Sequence, residues 1–163
     1  MKTISFPNID VDEKTLWIGI GNTGRGDDGL GWLFLDRIAE TGVPGRKVCR
    51  YQLQIEDADL LRSSDRVIFV DASREPLPDG YILNRIGPRD EVAFTTHALS
   101  PEAVLALARD LYGHQPKAWM LAIEGSGWGL GEGLSRDASS NLNSVLDLFS
   151  TQLLDSVLSH EIR

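Results

Sequence analysis

The chain is short of the residues from which many kinds of site are built. One cysteine, Cys49, in 163 residues leaves no internal disulfide and no multi-cysteine zinc site, so a reducing cytoplasm is the expected compartment. Three histidines are present, and none stands in the HExxH pairing of a zinc-protease helix. No apolar run approaches the roughly 20 residues that a membrane helix needs. The opening stretch MKTISFPNIDVDEK lacks the apolar core of a secretory signal. Sixteen Lys and Arg against 24 Asp and Glu give a net charge of −8, which argues against a nucleic-acid partner, because phosphate neutralisation needs a basic face. Gly125-Ser126-Gly127 lacks the G-x-S-x-G frame of a nucleophile elbow.

What remains is the composition of one ordinary globular domain, 42% hydrophobic and 25% charged, with no internal repeat. Residues 1–14 read as a loose arm or an added edge element, and 15–158 as a single core. From Thr15 onward strand and helix signals alternate. Strands are expected at Leu16–Ile20, Arg46–Leu53, Arg66–Asp71 and Lys117–Ile123, with an edge strand at Tyr81–Ile86. Helices are expected at Leu30–Ala39, near Asp57–Arg62, and from Pro101 to about Tyr112 with Val104, Leu107, Ala108 and Leu111 inward. Ser100 caps that third helix and Pro101 opens it. Leu142, Val145, Leu146, Phe149, Leu153 and Val157 mark an amphipathic final helix. Such alternation predicts an α/β domain with a mostly parallel sheet and helices on both faces, whose ligand sites lie at the carboxyl ends of the strands.

The most informative stretch is LWIGIGNTGRGDDGLG, Leu16 to Gly31. Gly19 to Gly24 match G-x-G-x-x-G, the turn that seats a pyrophosphate on a helix N-terminus in dinucleotide-binding folds. Here Asp27 and Asp28 follow at once, placing negative charge where a polyanion would sit. The acidic residue wanted about 20 positions later is also missing, since Glu56 lies too far along. A strand-end acidic site that handles a cation fits better.

Three residues fall at expected strand ends or in the loops after them: Asp28, Asp71 and His97. Two carboxylates and one imidazole make a mixed oxygen and nitrogen ligand set suited to zinc, nickel or a similar divalent metal, with positions left open for substrate or water. Each also has a plainer reading. Asp71 can accept loop amides, Asp28 can answer a helix terminus, and a histidine before a helix can be structural. Their convergence on one sheet edge favours the metal. Asp27 reads as a capping or loop-fixing residue, His114 and His160 as surface, Cys49 as core, and Trp128 as either a lid or a packing residue.

The segments GIGNTGRGDDGLG, RVIFVDAS, TTHALSP and MLAIEG, in that order and spacing, resemble the hydrogenase maturation protease family, endopeptidases that trim the large subunit of nickel–iron hydrogenases. The resemblance implies a three-layer α/β/α sandwich with a twisted, mostly parallel sheet of about five strands. It implies that Asp28, Asp71 and His97 recognise nickel and that Asn22, Arg25 and Asp27 belong to a substrate loop. The nickel would arrive with the precursor, with no organic cofactor, although other divalent metals could fill the site in vitro. The implied partner is the large-subunit precursor. Where some members carry an Asp-Gly-Gly-Thr segment after the second strand, this chain has YQLQIE at 51–56, which leaves the hydrogenase class open. Two other readings stay open: a non-catalytic nickel-sensing or chaperone domain for the same precursor, and a nucleotide-binding protein built on the glycine turn.

Overall fold

The structure, a computed structural model, describes residues 9–90 and 99–161, with side chains as far as Ser150. Five strands are present: β1 (Thr15–Ile20), β2 (Arg46–Arg50), β3 (Arg66–Ser73), β4 (Tyr81–Ile86) and β5 (Lys117–Glu124). They form one sheet in the order β2-β1-β3-β5-β4, parallel throughout except for β4, which runs antiparallel to β5. The helices are α1 (Leu30–Glu40), α2 (Asp57–Leu60), α3 (Pro101–Tyr112) and α4 (Arg136–Glu161). No helix among the described residues is long and apolar enough to cross a membrane.

Side chains along a strand alternate between faces, and here both faces are apolar, as a covered parallel sheet requires. Trp17, Ile68, Val70, Trp119, Leu121 and Ile123 point to one side, where α1 and α4 cover them with Leu30, Phe34, Ile38, Leu142, Val145 and Phe149. Leu16, Ile18, Val67, Phe69 and Ala118 point to the other, under Ala58 and Leu61 and under Val104, Leu105 and Ala108 of α3. The three-layer α/β/α arrangement is therefore the expected one, with α1 and α4 on one face and α2 and α3 on the other. Three rings lock the first layer: Phe149 meets Trp17 and Phe34 edge to face at centroid distances of 5.9 and 5.5 Å.

Two elements depart from the sequence reading. β2 stops at Arg50 rather than Leu53, because β1 has no strand left to pair with: the Arg50 carbonyl takes the Gly21 amide, already in the turn, and the Trp32 indole N–H. In α3 the buried stripe runs through Ala103, Val104, Leu105, Ala106 and Ala108, while Leu111 is 59% exposed. Leu111 sits in the last turn, and Gly113 ends the helix in a left-handed conformation at φ 62°. The helix start follows the sequence, since the Ser100 hydroxyl accepts the Ala103 amide. Residues 9–14 are tied to the body: Ile9 and Val11 pack on the α1/α4 side, and Asp12 pairs with Arg66 at 3.0 Å.

Strand order 2-1-3 makes the chain leave β1 toward one side and enter β3 from the other, so the carboxyl ends of β1 and β3 part. In open α/β sheets such a switch point is where ligands bind. The ring cluster beneath it sets stability. Truncating Phe149 to alanine should destabilise the fold by about 3–5 kcal/mol, the usual cost of deleting a buried aromatic ring. Urea unfolding of Phe149→Ala against wild type checks this, and a loss below about 1 kcal/mol would contradict the packing described.

Candidate active site at the parting of two strands

Pairing between β1 and β3 ends at Gly19 and Val70, while β3 runs on to Ser73 beside β5. Asp71 is thus the first residue of β3 with no β1 neighbour, and its half-buried carboxylate stands where the two strands separate. One carboxylate oxygen accepts the Ala72 amide at 2.8 Å. Burial pushes the Asp71 carboxyl up to about 7; the Ala72 hydrogen bond opposes the rise, and the negative charge of Asp28 adds to it. Asp28 and Asp71 are therefore electrostatic neighbours although 43 residues apart in sequence (71 less 28). Neither carboxylate pairs with a lysine or arginine among the described residues. Two hard oxygen donors with unneutralised charge fit a divalent cation chemically.

The glycine turn places Asp28. Gly21 takes φ 139°, and a β-carbon there would lie 1.9 Å from the Asp28 carbonyl oxygen. The Asn22 amide donates to that same carbonyl at 3.1 Å, and the Asn22 side-chain oxygen accepts the Gly24 amide at 2.8 Å. The space next to Gly21 that a pyrophosphate would use in a dinucleotide site is filled by the chain's own backbone. Gly31 answers a second close approach: a β-carbon there would sit 2.5 Å from the Val70 carbonyl oxygen and 2.7 Å from that of Ile20, so α1 lies directly on the ends of β1 and β3.

Asp27 faces the opposite way from this gap. It is wholly buried, and its carboxylate accepts four hydrogen bonds of 2.6–2.7 Å: from the amides of Ser126, Gly127 and Ser135 and from the Ser135 hydroxyl. Burial pushes its carboxyl up, but the Ser135 hydroxyl and the three amides more than offset this and hold it below its ordinary value. The partners lie 99–108 residues away in sequence, in the loop between β5 and α4. Ser135 was the signal within reach of sequence, as a serine just before a helix start; its hydroxyl also takes the Ala138 amide.

His97 lies outside the described residues. On either side of its segment the Arg89 amide donates to the Glu102 carbonyl, and the Leu99 amide to the Leu53 carbonyl, just past β2. Among the described residues no three His, Cys, Asp or Glu side chains form a metal-holding group, so the site they offer is the Asp28–Asp71 pair. Asn22 supports the turn, and Arg25 is exposed on it with its amide bonded to the Asn22 carbonyl. His114 is not a surface residue as expected; it is half-buried, and its ring Nε2 lies 2.6 Å from the Ser64 carbonyl oxygen. Trp128 is half-buried, with the Arg74 guanidinium 4.3 Å over its ring. Beyond the end of β2, on the same edge, Arg50, Tyr51, Gln54 and Asp57 line an open cleft of about 280 Å³.

A carboxyl group whose folded-state value exceeds its ordinary 3.8 is bound to its proton more tightly in the folded protein. Stability from this group is therefore fully present below pH 3.8 and is lost as pH rises toward and through about 7. Asp71→Asn escapes that loss while keeping an oxygen for the Ala72 amide. It should be more stable than wild type by about 2–4 kcal/mol at pH 8, with the gap closing by pH 4. Thermal unfolding of both proteins across that pH range reads the effect; equal melting curves at pH 8 would contradict it.

Compared by sequence, the chain matches no family model and no curated protein. Compared by structure, it is similar to the NiFe hydrogenase maturation protease HycI from Thermococcus kodakarensis, with a TM-score of 0.68 and 22% identity over 90% of this chain and 96% of that one. It is similar to the hydrogenase maturating endopeptidase HybD from E. coli, with a TM-score of 0.65 and 20% identity over 87% of this chain and 93% of that one. A third likeness is to the hydrogenase 2 maturation peptidase of a Thaumarchaeota archaeon, at TM-score 0.59 and 20% identity, over 85% and 97% of the two chains. The fold of this chain, over nearly its whole length, is the fold of those solved hydrogenase maturation proteases.

Proposed function

We propose that the chain is an endopeptidase that removes the C-terminal tail of a nickel-loaded hydrogenase large-subunit precursor. The observation that carries this reading is the pair of unneutralised carboxylates, Asp28 and Asp71, at the parting of β1 and β3. That sheet has the fold of proteins named as hydrogenase maturation endopeptidases. In this reading the chain belongs with those proteases, and Asp28, Asp71 and His97 are its metal-recognising residues.

The nickel is part of the substrate. A precursor that carries it offers a cation to two carboxylates that otherwise repel each other, and His97 supplies a nitrogen donor. A precursor without nickel gives Asp28 and Asp71 nothing to hold, so its tail is not brought into a productive position. Metal gripped in this way polarises the scissile carbonyl or activates a water for attack. No serine or cysteine nucleophile is called for: Cys49 lies in β2, half-buried, with burial pushing its thiol up and away from the reactive thiolate.

Incubation with nickel-loaded and nickel-free precursor, followed by intact mass, tests the proposal directly. The expected result is loss of a C-terminal peptide from the loaded form alone. Asp28→Ala and His97→Ala should each slow that cleavage by about a thousandfold or more, with an unchanged circular dichroism spectrum. Normal trimming by both variants would sink the assignment. A stable nickel-dependent complex with no mass change would favour the non-catalytic sensor instead.

A further inference from the structure

The loop that carries Asp28 is fastened to the glycine-rich loop between β5 and α4. Three main-chain hydrogen bonds join them: Gly26 amide to Gly131 carbonyl, Gly131 amide to Gly24 carbonyl, and Asp27 amide to Gly127 carbonyl, at 2.8–2.9 Å. The Asp27 carboxylate closes the seam with its four further bonds to Ser126, Gly127 and Ser135. Ser135 passes the connection on to α4, because its hydroxyl also takes the Ala138 amide at the helix start. The carboxylate thus joins the first loop of the chain to the last helix.

Asp27 and Asp28 are consecutive residues of one 3-10 turn, Gly26–Gly29. With three residues per turn, neighbouring side chains leave the axis about 120° apart. Fixing the direction of the Asp27 side chain therefore fixes that of Asp28. The turn has no side-chain cap of its own, and Gly26 at φ 57° is its swivel. The turn is held by the backbone contacts of Gly21 and Asn22, by the Asp28 amide on the Arg25 carbonyl, and by the Asp27 seam.

We propose that Asp27 is a positioning residue: its carboxylate, clamped by Ser126, Gly127 and Ser135, sets the direction from which Asp28 meets Asp71. The inference rests on the endopeptidase reading for its kinetic consequence, though not for its geometry. Misplacing a reacting group by about 1 Å costs on the order of a hundredfold in rate. Asp27→Asn keeps the shape but turns one acceptor into a donor, which must then face either the Ser135 amide or the amides of Ser126 and Gly127. Ser135→Ala removes one of the four bonds and Ser135→Thr restores it.

The test measures cleavage of nickel-loaded precursor at a temperature where every variant is fully folded by circular dichroism. Asp27→Asn should lower kcat by about 30–100-fold with KM within threefold. Ser135→Ala should lose a smaller part of the rate, and Ser135→Thr should recover most of it. A folded Asp27→Asn protein with wild-type kcat would overturn the proposal, since a purely stabilising role lowers the melting temperature and leaves kcat alone. A rise confined to KM would overturn it too, by assigning Asp27 to precursor binding. If wild-type protein leaves the precursor whole, the endopeptidase reading falls, and crystal structures of wild type and Asp27→Asn decide the clamp by themselves. An Asp28 carboxylate displaced by about 1 Å relative to Asp71 supports it, and an unmoved one overturns it.

Discussion

Two carboxyl groups meet at the mouth of a sheet, where burial and the negative charge of Asp28 make Asp71 hold its proton more tightly than it would in water. Asp71 comes to the gap on a strand whose preceding residues, Val67 to Val70, are buried on both faces, and burial also raises the proton affinity of its carboxylate. Asp28 comes on a short turn with little stability of its own, held by the chain on either side. The arrangement costs stability at neutral pH, a cost that a positively charged guest would relieve.

The two aspartates at positions 27 and 28 show how adjacent, chemically identical residues acquire opposite roles. Asp27 is buried and its carboxylate accepts four hydrogen bonds from the chain; Asp28 is half-buried, and its carboxylate pairs with no lysine or arginine among the described residues. The difference arises from the rotation between successive residues of a tight turn and from what lies on each side of it. Sequence distance gives no hint of this, since the donors to Asp27 come from the far end of the chain.

Most of the fold was legible because its signals are local. Apolar runs, as a covered parallel sheet requires, identified Arg66–Asp71 and Lys117–Ile123 as buried strands, and Ser100-Pro101 marked the start of α3. Errors arose where partner geometry decides. Leu105 and Leu111 are equally apolar, yet one is buried and the other exposed, a difference set by their places along and around α3 and not by their chemistry. The end of β2 depends on where β1 turns. The glycine turn was ambiguous for a deeper reason: a glycine that admits a phosphate and one that admits a carbonyl of its own chain have the same sequence signature. The candidate carboxylates could be named from their strand-end positions, whereas the seam between the first and last loops could be recognised only in three dimensions.

The two outer strands bear on how copies of this protein meet. Among the described residues β2 and β4 are the outer strands of the sheet, and an outer strand is where another chain could continue it. β2 is only five residues long and reads RKVCR, and β4 carries Arg85 folded over Trp119 with Asn84 beside it. Short outer strands that carry Lys and Arg are one way in which a sheet discourages another chain from continuing it.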